Sequence, residues 1–120
     1  MRKQYYFRES PQGLLAWDVD HLVELSRSLP RRTVRLSMIS ESDGAWLHGE
    51  DRDAMAEHFR LIEEADLTYP IILAADGAVM DGRHRVAKAK AIGHSDIDAV
   101  QFAEDPPPDF IGVGPDELPY

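Results

Sequence analysis

Five consecutive residues, Asp81-Gly82-Arg83-His84-Arg85, have the types and spacing that could do chemistry. They head a run in which Arg83, His84, Arg85, Lys88 and Lys90 fall within eight residues with no acid among them, in a chain of formal net charge −9. A helix starting after Asp81 would present unpaired backbone N–H groups and the positive end of its dipole. Two guanidiniums and an imidazole added there make a pocket for phosphate or carboxylate. Gly82 would let such a ligand approach the backbone closely. Cations crowded at the positive end of a helix cost about a few tenths of a kcal/mol each, and an anion would relieve that cost. The plainer reading makes Asp81 only a cap, Gly82 only a turn residue and the cations a solvated helix face. The buried side of that helix would then be Val86, Ala89 and Ile92.

The elements that must position this corner can be read around it. The apolar run at 71–75 has the length of a buried strand, and Asp76-Gly77 is a hairpin turn signal. Residues 78–80 should pair back on that strand, which leaves Asp81 as the helix N-cap. Gly93 fits the helix C-cap, and residues 97–102 make a final strand. Upstream, residues 4–7 read as an aromatic edge strand followed by a turn at Pro11-Gln12-Gly13. Asp18 caps a helix over 19–29 carrying Leu22, Leu25 and Leu29, which Pro30 ends. Residues 33–39 alternate as a strand with Val34, Leu36 and Met38 on one face. The loop at 40–50 carries Glu41, Trp46, His48 and Glu50. Trp46 either closes over the core or stacks on a ring, and His48 with Glu50 lacks a second ligand pair at metal spacing. The clearest helix covers 52–65, with Met55, Phe59 and Ile62 on one face. Together these elements predict an α+β domain: a small mixed sheet with packed helices and the 81–85 corner at one end.

Residues 33–102 resemble the ParB/sulfiredoxin superfamily, whose signature is Pro-Ile/Leu-x-Val, a turn, then Asp-Gly-x-His-Arg opening an Ala-rich helix. Pro70-Ile71-Ile72, Asp81-Gly82-Arg83-His84-Arg85 and residues 87–93 carry the likeness. It implies the ParB/sulfiredoxin-like fold and a nucleotide at this corner. Sulfiredoxins place a catalytic Cys after the motif glycine. Here that position is Arg83 and the chain has no Cys, which excludes that chemistry. In ParB proteins the corner binds CTP, but their helix-turn-helix and dimerisation segments have no room in 120 residues. The free-serine kinases of the same fold resemble this chain in their phosphate clamp and in an acid after the opening strand, the place Glu41 occupies. The resemblance thus implies Asp81, Gly82, Arg83, His84 and Arg85 as nucleotide or phosphate ligands. It implies Glu41 and His84 as catalytic residues, Glu41 being the base. The cofactor would be ATP, ADP or CTP with Mg²⁺ held through water by Asp81 or Asp76, and no protein metal site is expected. Such an enzyme would run phosphoryl transfer or phosphoester hydrolysis.

Composition limits the alternatives. The 43% hydrophobic and 29% charged content is ordinary for a globular chain, and the expected division is a domain at 1–103 with its core at 33–102, then a tail at 104–120. No apolar run approaches the roughly 20 residues of a membrane helix, nor does the N-terminus read as a signal peptide, so the expected location is the cytoplasm. A pI near 4.9 argues against nucleic acid as a partner. The partner expected is a nucleotide or a phosphorylated small molecule. The tail holds five of the eight prolines and five acids with no Lys or Arg, yet Phe110, Ile111, Val113, Leu118 and Tyr120 are too apolar for a free segment. It should lie extended across the domain or against a protein partner or second copy. Two other readings stay open: a non-catalytic protein-interaction module working through the tail, and a ParB-like nuclease or DNA-associated protein.

Overall fold

A strand buried on both faces cannot alternate apolar with polar residues, and the run at 71–75 does not. In the computed structural model, which describes residues 4–39 and 52–120, that run becomes the central part of the larger of two sheets. The expectations for Glu41, Trp46, His48 and Glu50 lie outside the described residues, as does the packing of Met55. The order of elements is β1 (Tyr5–Ser10), β2 (Gly13–Asp18), α1 (Val19–Ser26), β3 (Arg32–Arg35), a 3-10 turn (Leu36–Met38) and α2 (Arg52–Glu64). There follow β4 (Ile71–Leu73), β5 (Val79–Asp81), α3 (Arg83–Ala91), β6 (Asp96–Gln101), β7 (Phe110–Ile111) and a 3-10 turn (Pro115–Glu117). The fold is α+β.

The larger sheet runs β3-β6-β4-β5, with β4 parallel to β6 and the other pairs antiparallel. Successive residues of β4 serve opposite faces. Ile71 and Leu73 pack with Val86 and Ala89 of α3 and with Ile97 and Ala99, whereas Ile72 and Ala74 pack with Trp17, Leu22, Met80, Val100 and Phe102. Each fully buried aliphatic side chain here contributes about 1.5–3 kcal/mol relative to exposure. Among the described residues no helix is long and apolar enough to cross a membrane.

Four local expectations need correction. The helix after Asp18 ends at Ser26, because Pro30 forbids helical geometry before it and the chain tightens into three-residue turns, Arg27 N–H to Glu24 O and Leu29 N–H to Ser26 O. Its cap is as expected, Asp18 accepting from the Asp20 amide at 2.9 Å. The strand expected at 33–39 stops at Arg35, and the 3-10 turn that follows buries Leu36 while leaving Met38 80% exposed. Phe59 of α2 and Ile92 after α3, both expected on buried faces, are more than half exposed. The 3-10 turn at Pro115–Glu117 puts a short helical piece in a tail expected to be extended throughout.

The smaller sheet, β1-β2-β7, arises from a hairpin whose second strand the sequence reading lacks and from the tail. Leu15 pairs with Ile111 and Ala16 with Phe110. The Trp17 indole donates to the Pro106 carbonyl at 2.8 Å, and the Asp109 carboxylate accepts from the Asp18 amide and pairs with His21, both at 2.8 Å. The tail is thus docked on its own domain with Leu118 buried, while Ile111 and Tyr120 stay at least half exposed.

Candidate functional site

The site is built where β5 gives way to α3, and Gly82 makes that junction possible. Its φ is 110°, a left-handed geometry, and a Cβ there would stand 2.5 Å from Ile71 Cγ2 and 3.0 Å from Arg85 Nη2. Only glycine fits both the backbone angle and the space. Gly82 is therefore the N-cap of α3, and Asp81, expected in that role, is instead the last residue of β5. Its carboxylate accepts from Arg85 Nη2 at 2.9 Å, across one helical turn, with both side chains about four-fifths buried. The first intrahelical bond runs from the Val86 amide to the Gly82 carbonyl at 3.0 Å. The amides of Arg83, His84 and Arg85 thus have no intrahelical acceptor, and Gly82 has no side chain to cap them.

The cations expected to converge do not all do so. Arg83 and His84 line a cleft of about 510 Å³ together with Asp81 and Gly82. Arg85 borders a different cavity. Lys88 donates to the carbonyls of Glu63 and Ala65 at 2.7 and 2.8 Å, closing the C-terminal end of α2. Arg83 has no charged or hydrogen-bonding partner among the described residues, so its guanidinium is available to the cleft.

Tyr5, Tyr6 and Phe7 of β1 and Tyr120 from the tail also line the cleft, the Tyr6 ring packing on Trp17 on the strand face opposite to Tyr5 and Phe7. Tyr5 and Tyr120 meet edge to face at 5.3 Å, Tyr5 and Phe110 at 6.0 Å, and the Tyr5 hydroxyl donates to the Pro119 carbonyl. Sequence reasoning placed the aromatic strand and the apolar tail separately; nothing local shows that they meet across the cleft from Gly82. The chemistry available is a phosphate-type end, a helix N-terminus with a guanidinium, beside aromatic side chains that can pack a planar ring.

Asp76 sits at the far end of the β4–β5 hairpin and does not line the cleft. The Ala78 amide holds its carboxyl below the usual range, with Arg8 adding to the effect. Arg8 itself is pushed up, first by its 2.9 Å bond to the Tyr6 hydroxyl, and also pairs with Asp105. Asp66 is likewise held low by the hydroxyl and amide of Thr68. Among the described residues no group of three His, Asp or Glu could hold a metal ion. Glu41, the expected base, lies outside the described residues.

No protein-family model matches the chain, and no curated protein matches it. Among solved structures it is similar to a ParB-N domain. That structure, of a Pnob8-like ParB-N domain, matches over 62% of this chain and 30% of its own, at 14% sequence identity and a TM-score of 0.42. The chain thus spans less than a third of the ParB-N chain it matches.

Proposed function

We propose that this protein binds a nucleotide, or another phosphorylated small molecule with a planar ring, in the cleft between α3 and β1. The observation that supports this reading is the pairing within one cleft of unlike walls: Gly82 to His84 on one side, Tyr5, Tyr6, Phe7 and Tyr120 on the other. A phosphate would take first-turn backbone amides of α3 and the Arg83 guanidinium, with His84 beside it. The ring would pack on the tyrosines. Arg85 then acts by holding Asp81 rather than by touching the ligand. Mg²⁺ would arrive with the phosphates, and of the two candidate aspartates Asp81 is the one on the cleft. Phosphoryl transfer or phosphoester hydrolysis is the reaction class such a site would run, since that catalysis is mainly positioning and charge stabilisation, with Glu41 as base. This reading sets the protein in the cytoplasm, among abundant nucleotides.

The test is a thermal-shift panel of ATP, ADP, CTP and GTP with and without Mg²⁺. Ligand at about 100 times its Kd stabilises a protein by about 2.7 kcal/mol, a shift of several degrees for a domain of this size. Arg83→Ala should abolish the shift and leave the unliganded Tm unchanged. A flat response across the panel refutes the proposal. For turnover, Glu41→Gln should stop the reaction and leave binding intact; persisting turnover removes Glu41 from its role.

A further inference from the structure

Three arginines, two from the connection between α1 and β3 and one from α3, border a second cavity, of about 390 Å³, which the Asp81–Arg85 pair also lines. Arg27 is the C-cap of α1, Arg31 precedes β3 and Arg85 lies in the first turn of α3. The floor is apolar: Ile72 and Val100 are 2% and 4% exposed, and Val23 and Leu29 stand beside them. Two acids answer two of the cations. Asp81 pairs with Arg85, and Asp98 accepts from Arg31 Nη2 at 2.9 Å. The Arg27 guanidinium has no partner among the described residues. One uncompensated guanidinium therefore stands over an apolar floor, in a chain of net charge −9. A cation at a helix C-terminus is favourable in itself, which accounts for Arg27 alone. It does not account for three guanidiniums around one hydrophobic depression.

We propose that this cavity binds a small organic anion with an apolar body, a carboxylate on an aryl or alkyl group. The carboxylate would meet Arg27 and the exposed side of Arg31, while the hydrocarbon covers Ile72, Val100, Val23 and Leu29. A bare phosphate would leave that floor wet, and a planar guanidinium suits a carboxylate fork. The volume lies within the range of small-molecule sites. Asp81 lines both this cavity and the cleft of the proposed nucleotide site, but the two share no other lining residue and take different ligands.

The experiment titrates the full chain with phenylacetate, its neutral analogue phenylacetamide, and inorganic phosphate, by calorimetry and amide chemical shifts. Phenylacetate should bind and move the amides of Val23, Arg27 and Ile72. Phenylacetamide should bind about tenfold more weakly, the worth of a charge-assisted hydrogen bond. Arg27→Gln should weaken phenylacetate by a similar factor. Val23→Glu, on the exposed side of α1, should do the same by placing a like charge at the mouth. Arg83→Ala should change nothing here, which separates this site from the first. Equal binding of acid and amide, equal binding of phosphate, shifts confined to other residues, or no binding at all would each overturn the proposal.

Discussion

Arg83 and Arg85 are two positions apart and face different tasks. Arg85 is held by Asp81 and largely buried, and its Nε has no hydrogen-bond partner among the described residues. Arg85→Ala leaves the largely buried Asp81 carboxylate without its cation, and should cost about 1–3 kcal/mol in denaturant unfolding. Arg83→Ala should leave stability unchanged in the same assay. The spacing of four between Asp81 and Arg85 is a legible helical pairing, yet so is Asp81 as a cap. What decides between them is the left-handed angle at Gly82, which rests on contact with Ile71, eleven residues earlier. Asp76 supports a pH prediction. Its folded value is depressed, so its contribution is fully present above the ordinary aspartate value of about 3.9 and is lost as pH falls through the lower folded one. Asp76→Asn should therefore lower Tm near neutrality and converge with the parent protein in acid; an unchanging gap would contradict that cause.

At the scale of elements, the corner is a strand, a glycine and a helix locked to one another. Gly82→Ala forces a left-handed alanine and drives its Cβ into Ile71, so the expected loss is about 2–5 kcal/mol, from roughly 1–2 for the backbone and 1–3 for overpacking. A loss below about 0.5 kcal/mol in chemical denaturation would show that the junction is looser than the contact distances imply. The hairpin at 71–81, α3 and β6 were within reach of pattern reading, because their signals are local: an apolar run, Asp76-Gly77, and Gly93 after the last helical turn. Lys88 was not. It belongs by sequence to a basic cluster and by structure to the end of α2, since only the packing of two helices brings its amine to the Glu63 and Ala65 carbonyls.

At the scale of the whole molecule, the ends of the chain meet. The tail supplies β7, the Pro106 acceptor for Trp17, the Asp109 clamp on Asp18 and His21, and the buried Leu118. Removal of residues 104–120 should destabilise the domain by more than about 3 kcal/mol, from one buried leucine and several hydrogen bonds, seen as a fall in the denaturation midpoint. An unchanged midpoint would make the tail an accessory. The α+β class is legible from the alternation of strand and helix signals, but the second sheet is not, because β2 and β7 are paired across more than ninety residues with no turn to announce it. The ring wall of the cleft is hidden for the same reason. Amide chemical shifts recorded while ATP with Mg²⁺ is titrated in test the central claim most directly. The account predicts that Gly82, Arg83 and His84 move together with Tyr5, Tyr6 and Tyr120. Shifts absent from both walls, or confined to surfaces away from the β5–α3 junction, would contradict it.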